Sequence, residues 1–431
     1  MKNIIKIILP LSWYRKLKGW LVKPYKCIKF VGLSMSYRKI RLRLRKQFGK
    51  EQIRVGFIGY ADGASCDIFT NLYKIFNHDS RFTCKVIILP YTHDDKNAMI
   101  KKHKNAMEYV RSQDILPLPG YDEKNEVMIN YGGSFDIVFF ENEYDWIDPL
   151  FKVENFRDAL SFVIPYGQYL ADNVQYHLSH KMMSEVFRVY PTSKPISKMM
   201  KKYSDIFGWN INSEYLGNPK TDRFFNAGKV KDVWKKAKEG QKRIIWAPHH
   251  TWAPYSNFLT YYKDFLEYAR VHKDIFIALK PHPALRDSLR DINKWSEKEI
   301  KQYFDAWKNG ENTDLFEGAW FDLFQKSDAM VLDSLGFMLE YSLSGRPACV
   351  IYRVDENGNR VMKFSDCGEE LYEKLYHAKD MQEIENFLAM IRRGEDSQKE
   401  VRLEYIKDNY TPPYGKSGAE NIYNDILKML E

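Results

Sequence analysis

RIIWAPHHTW, residues 243–252, runs from an apolar, β-branched stretch into a proline and two histidines. Two later segments repeat the pattern, IFIALKPHP (275–283) and AMVLDS (329–334), and each also ends in polar residues. Near-continuously apolar strands are typical of parallel sheets that are covered by helices on both faces. Because the carboxyl ends of parallel strands open at one edge of a sheet, we expect these three polar ends to share a site.

Short apolar runs alternate with helical patterns over the rest of the chain beyond residue 50. The further strand candidates are IRVGFIGY (53–60), TCKVIILP (83–90), FDIVFFE (135–141), LSFVIPYG (160–167), RVYPT (188–192) and ACVIYR (348–353), and a helical pattern covers 255–272. Two such sets predict two Rossmann-like α/β domains, residues 51–215 and 216–431. The boundary falls near the turn segment LGNPKTDRF, and the second domain is expected to include the closing C-terminal helix.

The composition fits this interpretation. The chain has 431 residues, of which 44% are hydrophobic and 15% aromatic, so extensive disorder is excluded. Its cysteines are scattered and form no CxxC pair, which argues against a zinc finger or a disulfide scaffold and indicates a reducing compartment. They are Cys27, Cys66, Cys84, Cys349 and Cys367. No apolar run approaches the roughly 18–20 residues that a membrane-spanning helix needs.

The positive charge is concentrated in an N-terminal arm, residues 1–50. The arm has 15 Lys and Arg and no Asp or Glu, whereas the remaining 51 basic and 57 acidic residues leave a net charge of −6. Apolar residues recur at helical spacing from Ile4 to Leu21, with Trp13 and Trp20 nearby. This favours a helix in an anionic membrane interface. Packing on the body and nucleic-acid binding are the alternatives.

Two features qualify the arm. Lys6 and Pro10 interrupt its apolar stretch and no small-residue cleavage site follows, so a signal peptide is not expected. In YRKIRLRLRK (37–46), apolar residues alternate with arginines. A period of two argues against an ideal amphipathic helix over this part of the arm.

From about residue 160 to the C-terminus, the chain resembles the CDP-glycerol glycerophosphotransferase family, of the teichoic-acid polymerase and primase type. Five segments resemble family motifs in the family's order: SEYLGNPKTDRFF (213–225), RIIWAPHHTW, LKPHP (279–283), SDAMVLDSLGFMLEYSLSGRP (327–347) and YGKSGAENIYNDILKML (414–430). The resemblance implies a GT-B fold, in which two Rossmann-like domains face a cleft. It also implies metal-free transfer of a polyol phosphate from a CDP-polyol to a membrane-associated acceptor in cell-surface polysaccharide synthesis, at the cytoplasmic face of the membrane.

The chain departs from the family in three of its motifs. Tyr166, followed by Gly167, stands where the family has its first catalytic histidine. Lys220 replaces a usual arginine, and of the Asp-Tyr-Ser-Ser element only Asp333 is kept. Another group must then deprotonate the acceptor, or the reaction differs within the same fold; Tyr166 and Gly167 remain expected acceptor contacts.

For the donor, the resemblance points to His282, the family's second histidine. Lys280 lies two residues away, so both side chains share a face if the strand continues, and both suit a diphosphate. Asp333, Ser334 and Gly336 precede or begin a helix whose free N–H groups can bind phosphate. Two further residues complete the expected donor contacts, Glu340, through a ribose, and Thr251. Structural roles in a turn or a helix cap are the alternatives.

For the acceptor base, His250 and His249 are the candidates, because histidine titrates near neutral pH. If the strand continues they point to opposite faces, so at most one can serve. Glu141, Glu143 and Asp145 form an acidic cluster for which a solvated loop is expected, although a metal site is conceivable. No His/Cys/Asp set shows metal-ligand spacing at the predicted site, so no metal or other cofactor is expected beyond the CDP-linked donor.

Two other functions fit the same residues. One is a GT-B glycosyltransferase that uses a nucleotide-sugar donor, since related elements occur in such enzymes. The other is a membrane-surface binding protein whose transferase site has decayed, which the tyrosine at position 166 motivates.

Overall fold

The computed structural model describes residues 30–431 except 60–66, 94, 145–146, 179, 208–210, 227 and 319, and it leaves out the side chains of 205–207. The N-terminal apolar stripe with Trp13 and Trp20, as well as Cys27, Cys66 and Asp145, lies outside the described residues. The chain forms two compact units. One extends to residue 167 and adds 175–222 and 412–431, and the other comprises 168–174 and 223–411.

The first unit is built on a six-stranded parallel sheet. The strands up to residue 189 are β1 (Ile53–Gly59), β2 (Phe82–Ile88), β3 (Pro117–Pro119), β4 (Tyr121–Asp122), β5 (Val127–Met128), β6 (Ile137–Phe140), β7 (Leu160–Val163) and β8 (Arg188–Val189). The sheet order is β3-β2-β1-β6-β7-β8, and β4 and β5 form a separate antiparallel pair. The strands β6 and β7 are buried throughout, as near-continuously apolar sequences predict.

Helices connect the strands of this unit. They are α1 (30–47), α2 (Asp67–His78), α3 (Lys96–Arg111), α4 (Val174–Leu178), α5 (Lys181–Glu185) and α6 (Lys194–Phe207), with 3-10 turns at Pro149–Phe151 and Val153–Phe156. The short helix α7 (Asp222–Phe225) begins at the last residue of this stretch of the first unit and continues into the second unit. Among the described residues, no helix is both long and apolar enough to cross a membrane.

Helix α1 corrects the interpretation of the second half of the arm. Tyr37, Ile40 and Leu44 are buried in the core of the first unit, whereas Leu42 is 49% exposed. The buried positions are three or four residues apart, which is the helical period, and the alternating arginines occupy the outer face. The Tyr37 hydroxyl donates to the Glu185 carbonyl at 2.6 Å, so this part of the arm is anchored to the unit.

The second unit repeats the architecture. Its strands are β9 (Lys242–Ala247), β10 (Ile275–Leu279), β11 (Thr313–Leu315), β12 (Ala329–Leu332), β13 (Ala348–Ile351) and β14 (Tyr376–Ala378), all parallel and in the order β11-β10-β9-β12-β13-β14. Its helices are α8 (Phe258–Tyr261), α9 (Asp264–Val271), α10 (Leu285–Asp291), α11 (Glu297–Asn309), α12 (Phe321–Gln325), α13 (Leu335–Ser342), α14 (Asp366–Tyr372), α15 (Met381–Arg392) and α16 (Lys399–Tyr410). Trp246 and Trp307 lie in its core.

The chain then returns to the first unit. After a 3-10 turn at Pro413–Gly415, helix α17 (Gly418–Leu430) buries Ile422, Ile426 and Leu430 in the core of the first unit. The expected second domain, 216–431, therefore differs from the observed division, in which 216–222 and 412–431 belong to the first unit. The apolar stripe of the helix decides its location, and a local pattern cannot show which sheet such a stripe will cover.

The docking of α17 depends on a close approach and an unusual cap. A Cβ on Gly217, whose φ is +98°, would lie 2.8 Å from the Cα of Gly418. The Asp222 carboxylate accepts the amides of Gly418 at 2.6 Å and Ala419 at 2.9 Å, which satisfies the first turn of the helix. Two of the motifs that resemble the family, around 217 and 418, thus meet in one contact.

Candidate functional site

The site lies at the carboxyl edge of the second sheet. In the order β11-β10-β9-β12-β13-β14, the chain runs outward from β9 to β11 and then crosses to β12, so the topology switches between β9 and β12. In open α/β sheets, ligands bind beyond the carboxyl ends of the strands at such a switch point. The loops after β9, β10 and β12, together with the helix that follows β12, carry all of the expected donor and histidine residues.

Three imidazole rings meet there. The ring centroids of His249 and His250 are 4.0 Å apart, and those of His282 lie 4.5 Å from His249 and 4.7 Å from His250. His249 and His250 were expected to point to opposite faces if the strand continued, and that condition is not met. Strand β9 ends at Ala247, before Pro248, so the alternation of a strand does not extend to the histidines.

Asp333 holds the loop that carries these rings. Its carboxylate accepts the amide of His249 at 2.6 Å through one oxygen and the amide of Asn257 through the other. Burial raises the pKa of Asp333 to about 6, and the two amide hydrogen bonds oppose that rise. Because both oxygens are engaged, this aspartate positions the site in the structure as described.

Burial keeps the three rings neutral. It lowers the pKa of His282 to about 3, with further lowering from His249, His250 and Lys280. It also lowers the pKa of His249 to about 4, an effect that His250 reinforces and the His250 carbonyl opposes. The pKa of His250 is lowered for the same main reason. At neutral pH each ring has one N–H donor and one acceptor nitrogen.

The tautomer of His282 follows from its hydrogen bond. Nδ1 lies 3.1 Å from the Ala284 amide, which can only donate, so Nδ1 accepts. In a neutral ring the proton is then on Nε2. His282 therefore both anchors its turn and carries an N–H donor, so the structural and functional interpretations of this residue are compatible.

Lys280 is buried. Its ammonium group lies 5.8 Å from the centroid of the Phe337 ring, in the first turn of α13. Burial lowers the pKa of Lys280, and the carboxylates of Glu317 and Glu340 oppose that effect. Glu340 is itself buried one turn into α13.

Helix α13 begins at Leu335, one residue before the predicted start. Ser334 is the N-cap residue, but its side chain makes no capping hydrogen bond. The amides of Phe337 and Met338 both donate to the Ser334 carbonyl, so those of Leu335 and Gly336 precede the first helical hydrogen bonds. Such first-turn amides suit a phosphate oxygen. The Thr251 hydroxyl, by contrast, donates to Asn293 at 2.6 Å.

A second polar cluster lies in the first unit, at the switch point between β1 and β6. Glu141 and Glu143 follow β6 and are both buried, so the expected solvated loop is wrong for these two residues. Nδ1 of His177 lies 2.5 Å from a Glu143 oxygen. An ionised carboxylate only accepts, so the Nδ1–H donates to Glu143, which orients the imidazole ring.

Tyr166 lies beside this pair. Its hydroxyl is 2.6 Å from that of Tyr144, and the Tyr144 ring is 6.0 Å from the His177 ring. Gly167 follows at the surface-facing end of the segment, where a Cβ would meet nothing within 4 Å. Sequence reasoning missed Tyr144 and the Glu143–His177 pair, because 34 residues separate the two partners and no local motif joins them.

Within the described residues, the three histidines are also the one group with the geometry of a metal site. One ligand atom from each lies within 4.8 Å of the others. Sequence spacing did not predict this cluster, because the histidines come from two loops that only the sheet brings together.

No protein-family model matches the chain. No curated protein is similar to it in sequence either. Solved structures are similar in fold. S. aureus MnaA in complex with UDP has a TM-score of 0.56 and 11% identity, over 88% of this chain and 97% of that chain. UDP-GlcNAc 2-epimerase from Neisseria meningitidis, bound to UDP-GlcNAc, has a TM-score of 0.56 and 12% identity, over 87% and 100%.

A third similar structure is the wall teichoic acid polymerase TagF soaked with CDPG. Its TM-score is 0.52 and its identity 14%, over 95% of this chain and 99% of that chain. The chain has the GT-B fold. The predicted fold class, two Rossmann-like parallel sheets of GT-B type, is therefore confirmed. Membership of the CDP-glycerol glycerophosphotransferase family remains a prediction.

Proposed function

We propose that this GT-B protein is an enzyme that acts on a nucleotide-activated donor, and that it transfers a polyol phosphate from a CDP-polyol to a membrane-associated acceptor in cell-envelope polysaccharide synthesis. The observation that carries the proposal is the Nε2–H of His282 at the switch point of the second sheet, in the same site as the first turn of α13. The TagF likeness and the five motifs support the CDP-polyol as donor.

The site suits the diphosphate of such a donor. The His282 N–H and the amides of Leu335 and Gly336 are donors that need no rearrangement to meet an anion. Lys280 adds positive charge, and its burial strengthens that charge's interaction with an anion. As the leaving phosphate gains charge, these interactions strengthen, which is the condition for catalysis rather than binding alone.

The hydroxyl group of the acceptor substrate requires a base that takes its proton. His249, with a pKa of about 4, is neutral at pH 7 but weakly basic, and His250 is shifted in the same direction. In the first unit, Glu143 orients His177, and Tyr144 lies between this pair and Tyr166. We assign acceptor binding to this region, and association of the N-terminal arm with the inner face of the cell membrane to residues 1–29.

Binding and transfer separate the candidate functions. Full-length protein is titrated calorimetrically with CDP-glycerol, CDP-ribitol and UDP-GlcNAc, and transfer of labelled glycerol phosphate to a lipid-linked acceptor fraction is then measured. Binding of a CDP-polyol is expected. Binding of UDP-GlcNAc alone would favour the nucleotide-sugar enzyme, for which the UDP-bound structures with the same fold are the motivation. Binding of none of the three would support the decayed binding protein.

A pair of variants isolates the His282 N–H. In His282→Asn the amide oxygen can still accept from Ala284, but no group replaces Nε2. We expect transfer to fall by about 10²–10³-fold, the usual loss for one preorganised donor to a developing anion. The midpoint of thermal unfolding should change little. His78→Asn, at an exposed histidine, is the matched control; full transfer by His282→Asn would remove His282 from the mechanism.

A further inference from the structure

The histidine cluster holds two buried nitrogens that the protein does not satisfy. Nδ1 of His249 and Nδ1 of His250 are buried and have no hydrogen-bond partner among the described residues. Buried polar atoms in native proteins are nearly always paired, so an orphaned pair in one cluster calls for an explanation. The nitrogens belong to neighbouring rings whose centroids are 4.0 Å apart, so a single bound species can reach both rings.

We propose that His249, His250 and His282 bind a divalent transition-metal ion, for which Zn²⁺ is the best fit. One nitrogen from each ring lies within 4.8 Å of the others, on two loops fixed at adjacent strand ends. Three imidazoles with an open fourth position are the ligand set of a catalytic-type zinc site. Mg²⁺ and Ca²⁺ prefer oxygen ligands, and both carboxylate oxygens of Asp333, which holds the His249 loop, are engaged by amides.

The cluster is close to the required geometry. Tetrahedral zinc with Zn–N bonds of about 2.0–2.1 Å places its ligand nitrogens about 3.4 Å apart. Contraction from 4.8 Å needs ring rotations and no new path for the backbone, because the His282 amide already donates to the Pro248 carbonyl at 3.1 Å. That hydrogen bond fixes the loop after β10 beside the residue that precedes His249.

One existing contact opposes the metal. Nδ1 of His282 accepts from Ala284, so coordination through Nε2 requires the ring proton to move to Nδ1, which ends that hydrogen bond. The loss of one net hydrogen bond is small beside the free energy of binding zinc to histidine ligands. The tautomer change also provides a signature, since the ¹⁵N shifts of the His282 ring distinguish Nε2–H from Nδ1–H.

The proposal goes beyond the proposed function and does not depend on it, because metal binding is measured without turnover. The proposed function and the proposed metal site assign different partners to Nε2 of His282. In the metal-free protein the His282 Nε2–H would face the donor phosphate, and in the metal-loaded protein the ion would take that place.

The test uses tag-free, full-length protein stripped with a chelator. It is titrated with ZnCl₂ by calorimetry and with CoCl₂ by visible absorption, since tetrahedral cobalt gives an intense band. We expect one ion per chain, and His249→Ala, His250→Ala and His282→Asn should each weaken binding by at least about 100-fold. His282→Asn retains the acceptor for Ala284, so its fold is protected while Nε2 is lost.

His78→Ala is the control for adventitious binding to an exposed histidine and should bind the ion as the wild type does. Circular dichroism and thermal unfolding of each apo variant establish that it is folded before titration. Equal affinity of the wild type and His282→Asn, or stoichiometric binding that survives loss of all three histidines, would overturn the proposal. Absence of binding by the folded wild type at micromolar zinc would overturn it too.

Discussion

At the scale of single residues, Pro248 decides how the site is built. A strand that continued through His249 and His250 would place the two rings on opposite faces of the sheet. Because the strand ends one residue before the proline, both rings turn toward His282. The sequence predicted which residue types gather at this edge, but their shared side depends on where the strand ends.

The buried histidines predict a dependence of stability on pH. The folded-state pKa values of His249 and His282 are about 4 and about 3, below the ordinary value of 6.5. The unfolded chain therefore takes up protons at higher pH than the native state does. Their contribution to the free energy of unfolding is present above pH 6.5 and is lost as the pH falls through about 4 and 3.

This is measured by urea unfolding at intervals from pH 7.5 to 4. The double variant His249→Asn/His282→Asn should lose less stability over this range than the wild type does. Asp222 and Asp333, with pKa values raised to about 6, act with the opposite sign between about pH 4 and 6, but both proteins contain them. A His78→Asn control should follow the wild type; identical slopes for the wild type and the double variant would contradict the neutral cluster.

At the scale of elements, the two motifs at residues 217 and 418 are explained by one contact. Each resembles a family motif, and sequence reasoning placed them in a turn and in a terminal helix of the second domain. The structure shows that they contact each other at the N-terminus of α17, in the first unit. Both motifs were therefore recognisable from sequence. Their contact with each other was not predictable, because it joins positions about 200 residues apart.

The contact at the N-terminus of α17 predicts that alanine substitutions at two glycines will lower the free energy of unfolding by different amounts. Gly217 and Gly49 both have positive φ, +98° and +78°, but a Cβ at Gly49 would meet nothing within 4 Å. The left-handed backbone should cost each alanine variant about 1–2 kcal/mol. Gly217→Ala should cost about 1–3 kcal/mol more, because its Cβ would overlap backbone at Gly418. Urea unfolding measures both, and equal losses would show that the contact at Gly418 relaxes freely.

Most strands of the two sheets could be predicted from the sequence. The centres of nine strands were predicted, because runs such as the one in β10 are apolar throughout. Five strands were missed. The strands β3, β11 and β14 have three residues each, with prolines or polar residues among them, and β4 and β5 have two residues each. For the candidate site, the donor residues were predicted, whereas the Glu143–His177 pair depends on two segments that meet only in the folded unit.

At the scale of the whole molecule, the N-terminal arm divides in two. Residues 30–47 are a helix packed into the first unit, so their removal takes core residues away, whereas residues 1–29, with eight of the fifteen positive charges, lie outside the described residues. The sequence-based proposal of membrane association now applies to this shorter segment. The charged face of α1 remains with the folded unit in either case.

Two truncations test this division. Deletion of 1–29 should release the protein from anionic phosphatidylglycerol vesicles and leave the free energy of unfolding unchanged. Deletion of 1–50 also removes Tyr37, Ile40 and Leu44, each worth about 1.5–3 kcal/mol of burial, and should destabilise the unit severely. Replacement of the eight basic residues by glutamine is the matched control for charge, and vesicle binding should weaken with salt because the charges are screened over about 8–10 Å.

If the intact protein ignores vesicles and retains RNA or DNA, the nucleic-acid alternative replaces the membrane. If deletion of 1–29 destabilises the protein as much as deletion of 1–50 does, the N-terminal stripe is part of the core.

The return of α17 to the first unit has a consequence for the order in which the protein is made. During synthesis, domains usually fold as they emerge, the N-terminal one first. Here residues 412–431 leave the ribosome after the whole of 168–411, yet Ile422, Ile426 and Leu430 complete the core of the first unit. The unit whose sheet is translated first is therefore completed last. Until then the first unit exposes the apolar surface that α17 will cover. A chaperone that binds the nascent chain would therefore be needed longest by the first unit.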